Sequence, residues 1–493
     1  MVIREREPST TFLYTHRKFL VVGLIATCGT ACALVGMTSW KFAAVGDELP
    51  FFYFAKRIAE QHLLVNPLGM YGVYGEHQVL GSYVQAIFLV LFGSQYAVWK
   101  FSGVIVLLPS VIFLYLFVRP LYGRNPALIS ALLLAFSKYL CNFFKIGYIH
   151  SLCLFLLVFC LYLAGELLRV PTRAKAIKLG IGLGISFFVV IGPVFPFLLL
   201  PFGVALLHRK GRQAIPLLAI VALVLLAFIS IGLLTTPADQ RWGGLTKTSV
   251  HREFDSKAQV LINIGRNFLL FWQNFDYLYN HFVEGPYLDL ISRWAALFGI
   301  VLCLLAFRQT QGLLLFLWIM LCLGIGISNP YWYTPSTRGI FFIPYGVIFA
   351  SLGLEFLRRN LRRFGVRWVL PLVLVAIIGL NIYEAHIGIF RKAGYSRTAL
   401  ILRELVQSTP QEEALLLVHS PGYQFDVRHV LQRLPFFGIP ASRFAHTHQL
   451  PEACATHREK LIAFTDDPIH PLPELCAHFQ DRKVIVMLQG GFP

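Results

Sequence analysis

Charged residues are scarce in this chain of 493 residues, at 14%, whereas hydrophobic residues make up 56%. Soluble proteins carry about 25% charged residues. So much apolar surface cannot be buried in one water-soluble core, which argues against a soluble enzyme, a disordered protein or a nucleic-acid-binding domain. The net charge of +18 does not favour nucleic acid, because the cations cluster between apolar runs, as membrane topology requires. The sequence also lacks a P-loop, a metal-ligand spacing and an internal repeat.

The apolar runs predict an all-α polytopic membrane protein, since about 20 such residues cross a bilayer. Gly192-Pro193 and cations at both ends indicate that 177–207 crosses twice. The shorter run 84–93 is predicted to lie at the interface. About eleven spans result: 19–40, 98–118, 126–141, 150–168, 177–191, 193–207, 214–234, 290–307, 312–328, 338–356 and 367–388.

The positive clusters orient these spans with the N-terminus in the cytoplasm, because cations mark the cytoplasmic side. Residues 1–390 form the predicted transmembrane domain of a multi-pass protein of the cell membrane, the inner one in a two-membrane cell. An odd number of spans places the tail outside the cytoplasm as well. The segments 41–97, 142–149, 235–289 and 329–337 then lie outside.

The tail, 391–493, has the pattern of a small α/β domain. Strands are predicted at 414–419 and 483–488, and helices at 396–408 and 426–434. Cys454 and Cys476 are the only cysteines of the tail, and in an oxidising compartment they could pair.

Two adjacent acids, Asp47 and Glu48, follow the first span. Such a pair can orient a nucleophile, take its proton or hold a divalent cation such as Mg²⁺ or Mn²⁺. A solvated turn is the simpler interpretation of two acids alone. However, an amphipathic segment follows directly, and then a Gly/Tyr-rich loop with Tyr74, Glu76 and His77, which suits a substrate cradle.

These features, in this order, resemble the GT-C superfamily of membrane glycosyltransferases. The closest likeness is to the bacterial members of family 39, the protein-mannosyltransferase group, which includes the aminoarabinose transferases of lipid A. The likeness extends over roughly 15–390, with two departures: Glu76–Gly81 replaces a proline-bearing stretch, and His150 stands near the place of an Asp. The matching stations are Asp47–Glu60, Ser82–Gly93, Phe144–His150, Phe275–Asp289 and Thr337–Pro344.

The resemblance implies transfer of a sugar from a polyprenyl-phosphate donor to a lipid, glycan or protein acceptor at the outer face of the membrane. It places the catalytic acid at Asp47, with Glu48 supporting it or helping to hold a metal. A phosphate leaving group requires cations. Lys145 is the lone cation of the second outer loop and Arg338 begins the tenth span, so both are candidate phosphate contacts. Lys145 could instead reach lipid headgroups, and Arg338 could be a topological flank.

Tyr74, Glu76, His77 and His150 are the candidate substrate contacts. Two other functions fit a polytopic protein. A transporter or flippase would carry charged or broken helices at mid-membrane, often in paired repeats. A non-catalytic scaffold would leave Asp47 and Glu48 unexplained. The clean spans and the acids in outer loops favour the enzyme.

The orientation is testable with a topology reporter fused after Pro493. We expect the reporter to be active only in the exterior compartment, because the cations place the N-terminus inside and the number of spans is odd. Activity in the cytoplasm would contradict the odd count.

Overall fold

The chain divides into two compact units, Met1–Tyr395 and Ser396–Pro493. Each is described by itself. The computed structural model describes residues 12–39, 48–73, 77–189, 192–237, 257–273, 286–306, 310–328 and 334–388, and four strands at 415–419, 444–447, 460–465 and 485–488.

The first unit is built of helices. The first eleven are α1 Phe12–Leu34, α2 Glu48–Glu60, α3 Leu80–Phe92, α4 Tyr96–Val104, α5 Leu107–Tyr122, α6 Arg124–Ala135, α7 Lys138–Lys145, α8 His150–Arg169, α9 Arg173–Ser186, α10 Leu199–Lys210 and α11 Ala214–Thr235. The others are α12 Lys257–Leu269, α13 Leu290–Leu305, α14 Thr310–Ser328, the single turn α15 Ser336–Gly339, α16 Ile343–Arg363 and α17 Val369–Tyr383.

Small residues let these helices approach closely. A Cβ atom added to Gly299 of α13 would lie 1.9 Å from the carbonyl oxygen of Phe349 in α16. One added to Gly353 of α16 would lie 2.3 Å from the carbonyl oxygen of Ala295. Small residues at helix contacts are typical of membrane proteins, where packing rather than the hydrophobic effect holds helices together.

Large apolar side chains cover the outer surface of the helices. Leu223, Leu226 and Leu234 of α11 and Leu372 and Val375 of α17 are more than half exposed. A surface this apolar suits lipid tails. Together with the apolar helices, it identifies a multi-pass membrane protein.

All eleven predicted spans overlap helices, but their number stays a prediction. Within the described ranges, six segments are long and apolar enough to cross a membrane by length and composition, or seven if the bent pair α6 and α7 forms one span. One of the six, Val194–Thr235, has 42 residues. As a helix it would extend about 60 Å, twice the hydrocarbon thickness. It is interrupted at Gly211, whose φ is +56°, which favours two crossings.

Helix ends that the sequence assigns to the outer face lie together. The Sγ atom of Cys32, near the end of α1, is 3.1 Å from Nε2 of His386, which follows α17. Lys138 at the start of α7 pairs with Glu384 at 3.8 Å. The predicted outer ends of the first, third and last spans therefore meet at one end of the bundle.

The second unit contains a parallel four-stranded sheet in the order β2-β1-β3-β4. Its strands are β1 Leu415–His419, β2 Phe444–Thr447, β3 Lys460–Thr465 and β4 Ile485–Leu488. The strands predicted at 414–419 and 483–488 correspond to β1 and β4. The two predicted helices and both tail cysteines lie outside the described residues. Parallel strands require crossover connections, as in an α/β domain.

Gly147, in the turn after α7, offers a test of the close packing in the helical first unit. Its φ is +85°, and an added Cβ atom would lie 2.4 Å from the Trp99 ring. We expect Gly147→Ala to lower the free energy of unfolding by about 1–3 kcal/mol. Gly379→Ala, in α17, is the control because its added methyl group meets no atom within 4 Å. Denaturation in detergent micelles compares them, and equal stability would contradict the packing.

Candidate functional site

A buried ion pair fixes the start of α2. Glu48, its first residue, lies 2.8 Å from Nζ of Lys100 in α4, and neither side chain is exposed. Lys100 also lies over the ring of Tyr96, 5.0 Å from its centre. Breaking a buried pair typically costs about 3–5 kcal/mol, because it leaves one charge uncompensated. The pair therefore holds the residue next to Asp47 against α4, although Asp47 itself lies outside the described residues.

A hydrogen-bonded chain connects α4, α3 and the turn after α7. The indole Nε1 of Trp99 donates to Oε1 of Gln85 at 2.9 Å. The Nε2 atom of Gln85 donates to the carbonyl oxygen of Gly147, also at 2.9 Å. Trp99 directly precedes Lys100 in α4. The ion pair and this hydrogen-bonded chain therefore hold one another in place.

A row of rings brings two predicted substrate contacts together. His77 lies 5.4 Å from Phe51, Phe51 lies 5.8 Å from Tyr148, and Tyr148 lies 5.8 Å from His150, all between ring centres. Phe51 is three residues after Glu48, on the same side of α2. His77 and His150, 73 positions apart in the sequence, thus border one cluster beside the ion pair. The other two candidates, Tyr74 and Glu76, lie outside the described residues.

Lys145 is buried in the protein at the end of α7. Its Nζ atom donates to Oδ1 of Asn142 at 3.5 Å. The side chain is enclosed by protein, which favours the phosphate contact over the alternative in which it reaches lipid headgroups. A cation in a low-dielectric setting is suited to a phosphate.

Arg338 is half-buried in α15 and donates from a guanidinium nitrogen to the carbonyl oxygen of Ser328 at 3.3 Å. The next residue, Gly339, packs against the phenol of Tyr287. The Tyr287 ring lies 4.3 Å from that of Tyr139 in α7, the helix that ends at Lys145. The turn of Arg338 and the helix of Lys145 are thus connected through two tyrosines, and their convergence on one phosphate stays a prediction.

Asp289, at the end of one matching station, has a structural role. One carboxylate oxygen accepts from the backbone N–H of Ser292 at 2.9 Å and so caps α13. The other accepts from Asn381 at 2.9 Å, whose own side-chain oxygen accepts from the backbone N–H of Lys138 at 2.9 Å. These hydrogen bonds hold α7 in place relative to α13 and α17.

A metal ion fits Glu48 poorly, because its carboxylate already faces the ammonium of Lys100, which would repel a cation. Among the described residues, no group of three or more His, Cys, Asp or Glu side chains could hold a metal. The ion pair of Glu48 therefore favours its predicted supporting role over the predicted role in holding a metal.

Sequence reasoning missed Lys100. The available signal was a lone ammonium inside the predicted span 98–118, because an ionisable residue within a span needs a partner or a function. Its partner could not be chosen from the sequence, since several outer segments carry acids.

The ion pair can be tested by a double-mutant cycle. We expect Glu48→Gln and Lys100→Met each to lower the free energy of unfolding by about 3–5 kcal/mol, since each leaves one buried charge alone. The double variant should regain most of that loss. The exposed pair Lys56–Glu60 on α2, with 3.7 Å between Nζ and Oε1, is the matched control, where the same changes should cost at most about 1 kcal/mol. Additive losses at Glu48 and Lys100 would contradict the pairing.

Comparisons with known proteins concern the family and the fold. The sequence model of the dolichyl-phosphate-mannose-protein mannosyltransferase family matches residues 76–232, which include α3 to α10 and most of α11. No curated protein sequence matches the chain.

Similar solved structures include ArnT from Cupriavidus metallidurans bound to undecaprenyl phosphate, with a TM-score of 0.54 and 13% identity over 93% of this chain and 89% of that one. The apo form of ArnT gives a TM-score of 0.51 and 11% identity, over 89% and 85% of the two chains. The apo oligosaccharyltransferase of Archaeoglobus fulgidus gives 0.51 and 14%, over 87% and 65%. This chain spans 61–65% of the length of the archaeal chains that it matches.

At these identities the likeness shows the fold. The family match over 76–232 and the common fold together confirm the resemblance to the GT-C superfamily that the sequence motifs predict.

Proposed function

We propose that the chain is a membrane glycosyltransferase that transfers a sugar from a polyprenyl-phosphate donor to an acceptor at the outer face of the membrane. The observation that carries this proposal is the buried Glu48–Lys100 pair. It holds the start of α2, and hence the neighbourhood of Asp47, at the end of the bundle where Lys145 and His150 also lie. An anchored acid beside a buried cation is what transfer from a phosphate requires.

In this proposal Asp47 is the base that takes the proton of the acceptor or orients it. The acceptor hydroxyl or amine attacks the anomeric carbon, the bond to the phosphate oxygen breaks, and the polyprenyl phosphate leaves with the bonding electrons. A carboxylate near the reacting atoms raises the nucleophilicity of the acceptor as its proton departs. Glu48 acts on this step only by positioning.

Lys145 and Arg338 are proposed to contact the donor phosphate. The charge that develops on the leaving phosphate is stabilised most strongly by cations in a site that excludes water. Lys145 is fully buried, so its charge is little screened. Each charge-assisted contact is worth about 1.5–3 kcal/mol.

A lipid-linked donor suits a helix bundle with an apolar exterior. The polyprenyl tail can stay among lipids while the sugar is presented at the helix ends. The bound undecaprenyl phosphate of ArnT, which shares the fold, supports a donor of this class. The acceptor class, whether lipid, glycan or protein, and the sugar are open within the proposal.

The orientation proposed from the cations, with the N-terminus in the cytoplasm and the tail outside, places this site at the exterior face. Nucleotide sugars are not available there, whereas a sugar on a lipid carrier is. The location of the site and the class of donor therefore both depend on the proposed orientation of the protein in the membrane.

The proposal is tested by a transfer assay in membranes with polyprenyl-phosphate mannose, glucose, arabinose and 4-aminoarabinose as donors. We expect the wild type to transfer at least one sugar. Asp47→Asn should be inserted normally, with transfer reduced by at least about 100-fold, because loss of a general base typically costs 10²–10⁴ in rate.

Glu60→Gln is the matched control, since it removes an exposed carboxylate from α2, the helix that begins one residue after Asp47, and it should leave transfer near normal. Near-normal transfer by Asp47→Asn would mean that this carboxylate only caps a helix. A wild type inactive with every donor would contradict the proposed donor class.

A further inference from the structure

The helix α3 carries a polar face in an otherwise apolar sequence. Gln78, just before its first turn, Ser82 and Gln85 follow one another at intervals of four and three residues, which places them on one face. Each of the three is at most 4% exposed. Gly81 and Leu89 share this face, and both are buried or closely packed.

This face is turned toward the candidate site. Gln85 donates to the carbonyl oxygen of Gly147. An added Cβ atom on Gly81 would lie 2.8 Å from the side chain of Ile149. The backbone of α3 therefore lies directly against the turn that carries Tyr148 and leads into His150. His77, next to Gln78, belongs to the same ring cluster.

The three polar residues differ in their partners. Gln85 is satisfied at both ends of its amide, by Trp99 and by Gly147. In the part of the chain that the structure describes, neither amide atom of Gln78 has a hydrogen-bond partner, and neither does the hydroxyl of Ser82. Leaving a buried polar atom unsatisfied costs about 1–3 kcal/mol. Three such atoms on one face therefore indicate that a partner from outside the chain completes their hydrogen bonds.

The chemistry of these atoms selects a neutral, hydroxylated partner. The Gln78 amide offers a donor and an acceptor, and the Ser82 hydroxyl can do either. A phosphate would be repelled by the amide oxygen of Gln78. The hydroxyl groups of a sugar both donate and accept, so they can satisfy all three atoms.

We propose that Gln78 and Ser82 bind hydroxyl groups of the transferred sugar and so set the sugar specificity. This inference rests on the proposed glycosyltransferase function. A site built to hydrogen-bond a substrate hydroxyl discriminates strongly against an analogue that lacks it, because the buried polar groups are then left unpaired.

The test uses the full-length protein and the best sugar donor from the panel above, with its monodeoxy analogues. Gln78→Leu and Ser82→Ala should each lower kcat/KM for the intact donor by about 10- to 100-fold, with KM for the acceptor unchanged. With one deoxy donor, the variant and the wild type should have equal kcat/KM. The hydrogen bond between the replaced side chain and the missing sugar hydroxyl is absent in both cases.

Stability gives the second readout. Replacing an unsatisfied buried polar group by an apolar one of similar shape should leave the unfolding midpoint unchanged or raise it. Gln85→Leu and Ser102→Ala are the matched controls, since Gln85 bonds to Trp99 and Gly147 and the Ser102 hydroxyl donates to the carbonyl oxygen of Trp99. Both controls should lower the midpoint without changing the discrimination among deoxy donors.

The outcomes separate this inference from the function on which it rests. A wild type that transfers no sugar of the panel would overturn both. If the wild type is active, but Gln78→Leu and Ser82→Ala lose stability like the controls and keep the preference of the wild type among deoxy donors, the two residues are structural and only this inference is overturned. An effect on KM for the acceptor alone would also overturn it.

Discussion

The structure of the site depends on one interaction, the buried ion pair of Glu48 and Lys100. Two charges removed from water at the edge of a helix bundle are stable only together. The pair therefore determines where α2 begins relative to α4. Trp99, next to Lys100, continues this constraint through Gln85 to Gly147, so the turn before α8 is held by the same helix. The helices α2, α4 and α3 and the turn after α7 are thus connected by three buried contacts.

The charges of this end of the bundle suit an anionic leaving group. Glu48 balances Lys100, and Lys145 adds a further cation in a buried position. Large apolar side chains are exposed along α11 and α17, which suits lipid. The proposed lipid-linked phosphate donor meets both requirements, since its tail can stay among lipids and its charge can face Lys145. The uncharged face of α3 beside them suits the sugar that such a phosphate carries.

The order of motifs predicted the elements of this site well, because each motif is local. Each motif can be recognised from a short stretch of sequence. The motifs are a Glu after the first span, an amphipathic helix, a short apolar helix and a cationic second loop. Each is found as part of a helix or turn. The partners were not predictable in this way. Lys100 lies 52 positions from Glu48 and Asn381 lies 92 from Asp289, and no local pattern identifies such a distant partner for an acid.

The sequence by itself determined that this is a polytopic helical membrane protein, because hydropathy and cation placement are properties of single segments. Its motifs, in their order, resemble those of the GT-C superfamily. The sequence also predicted which segments carry the chemistry. Only the tertiary structure decided that Glu48 is an anchor, that Lys145 is buried, and that His77 and His150 border one cluster. It also decided that, within the described ranges, Gln85 has hydrogen-bond partners while the buried polar atoms of Gln78 and Ser82 have none. The physical reason is that burial and hydrogen bonding are properties of packed neighbours, which only the folded chain brings together.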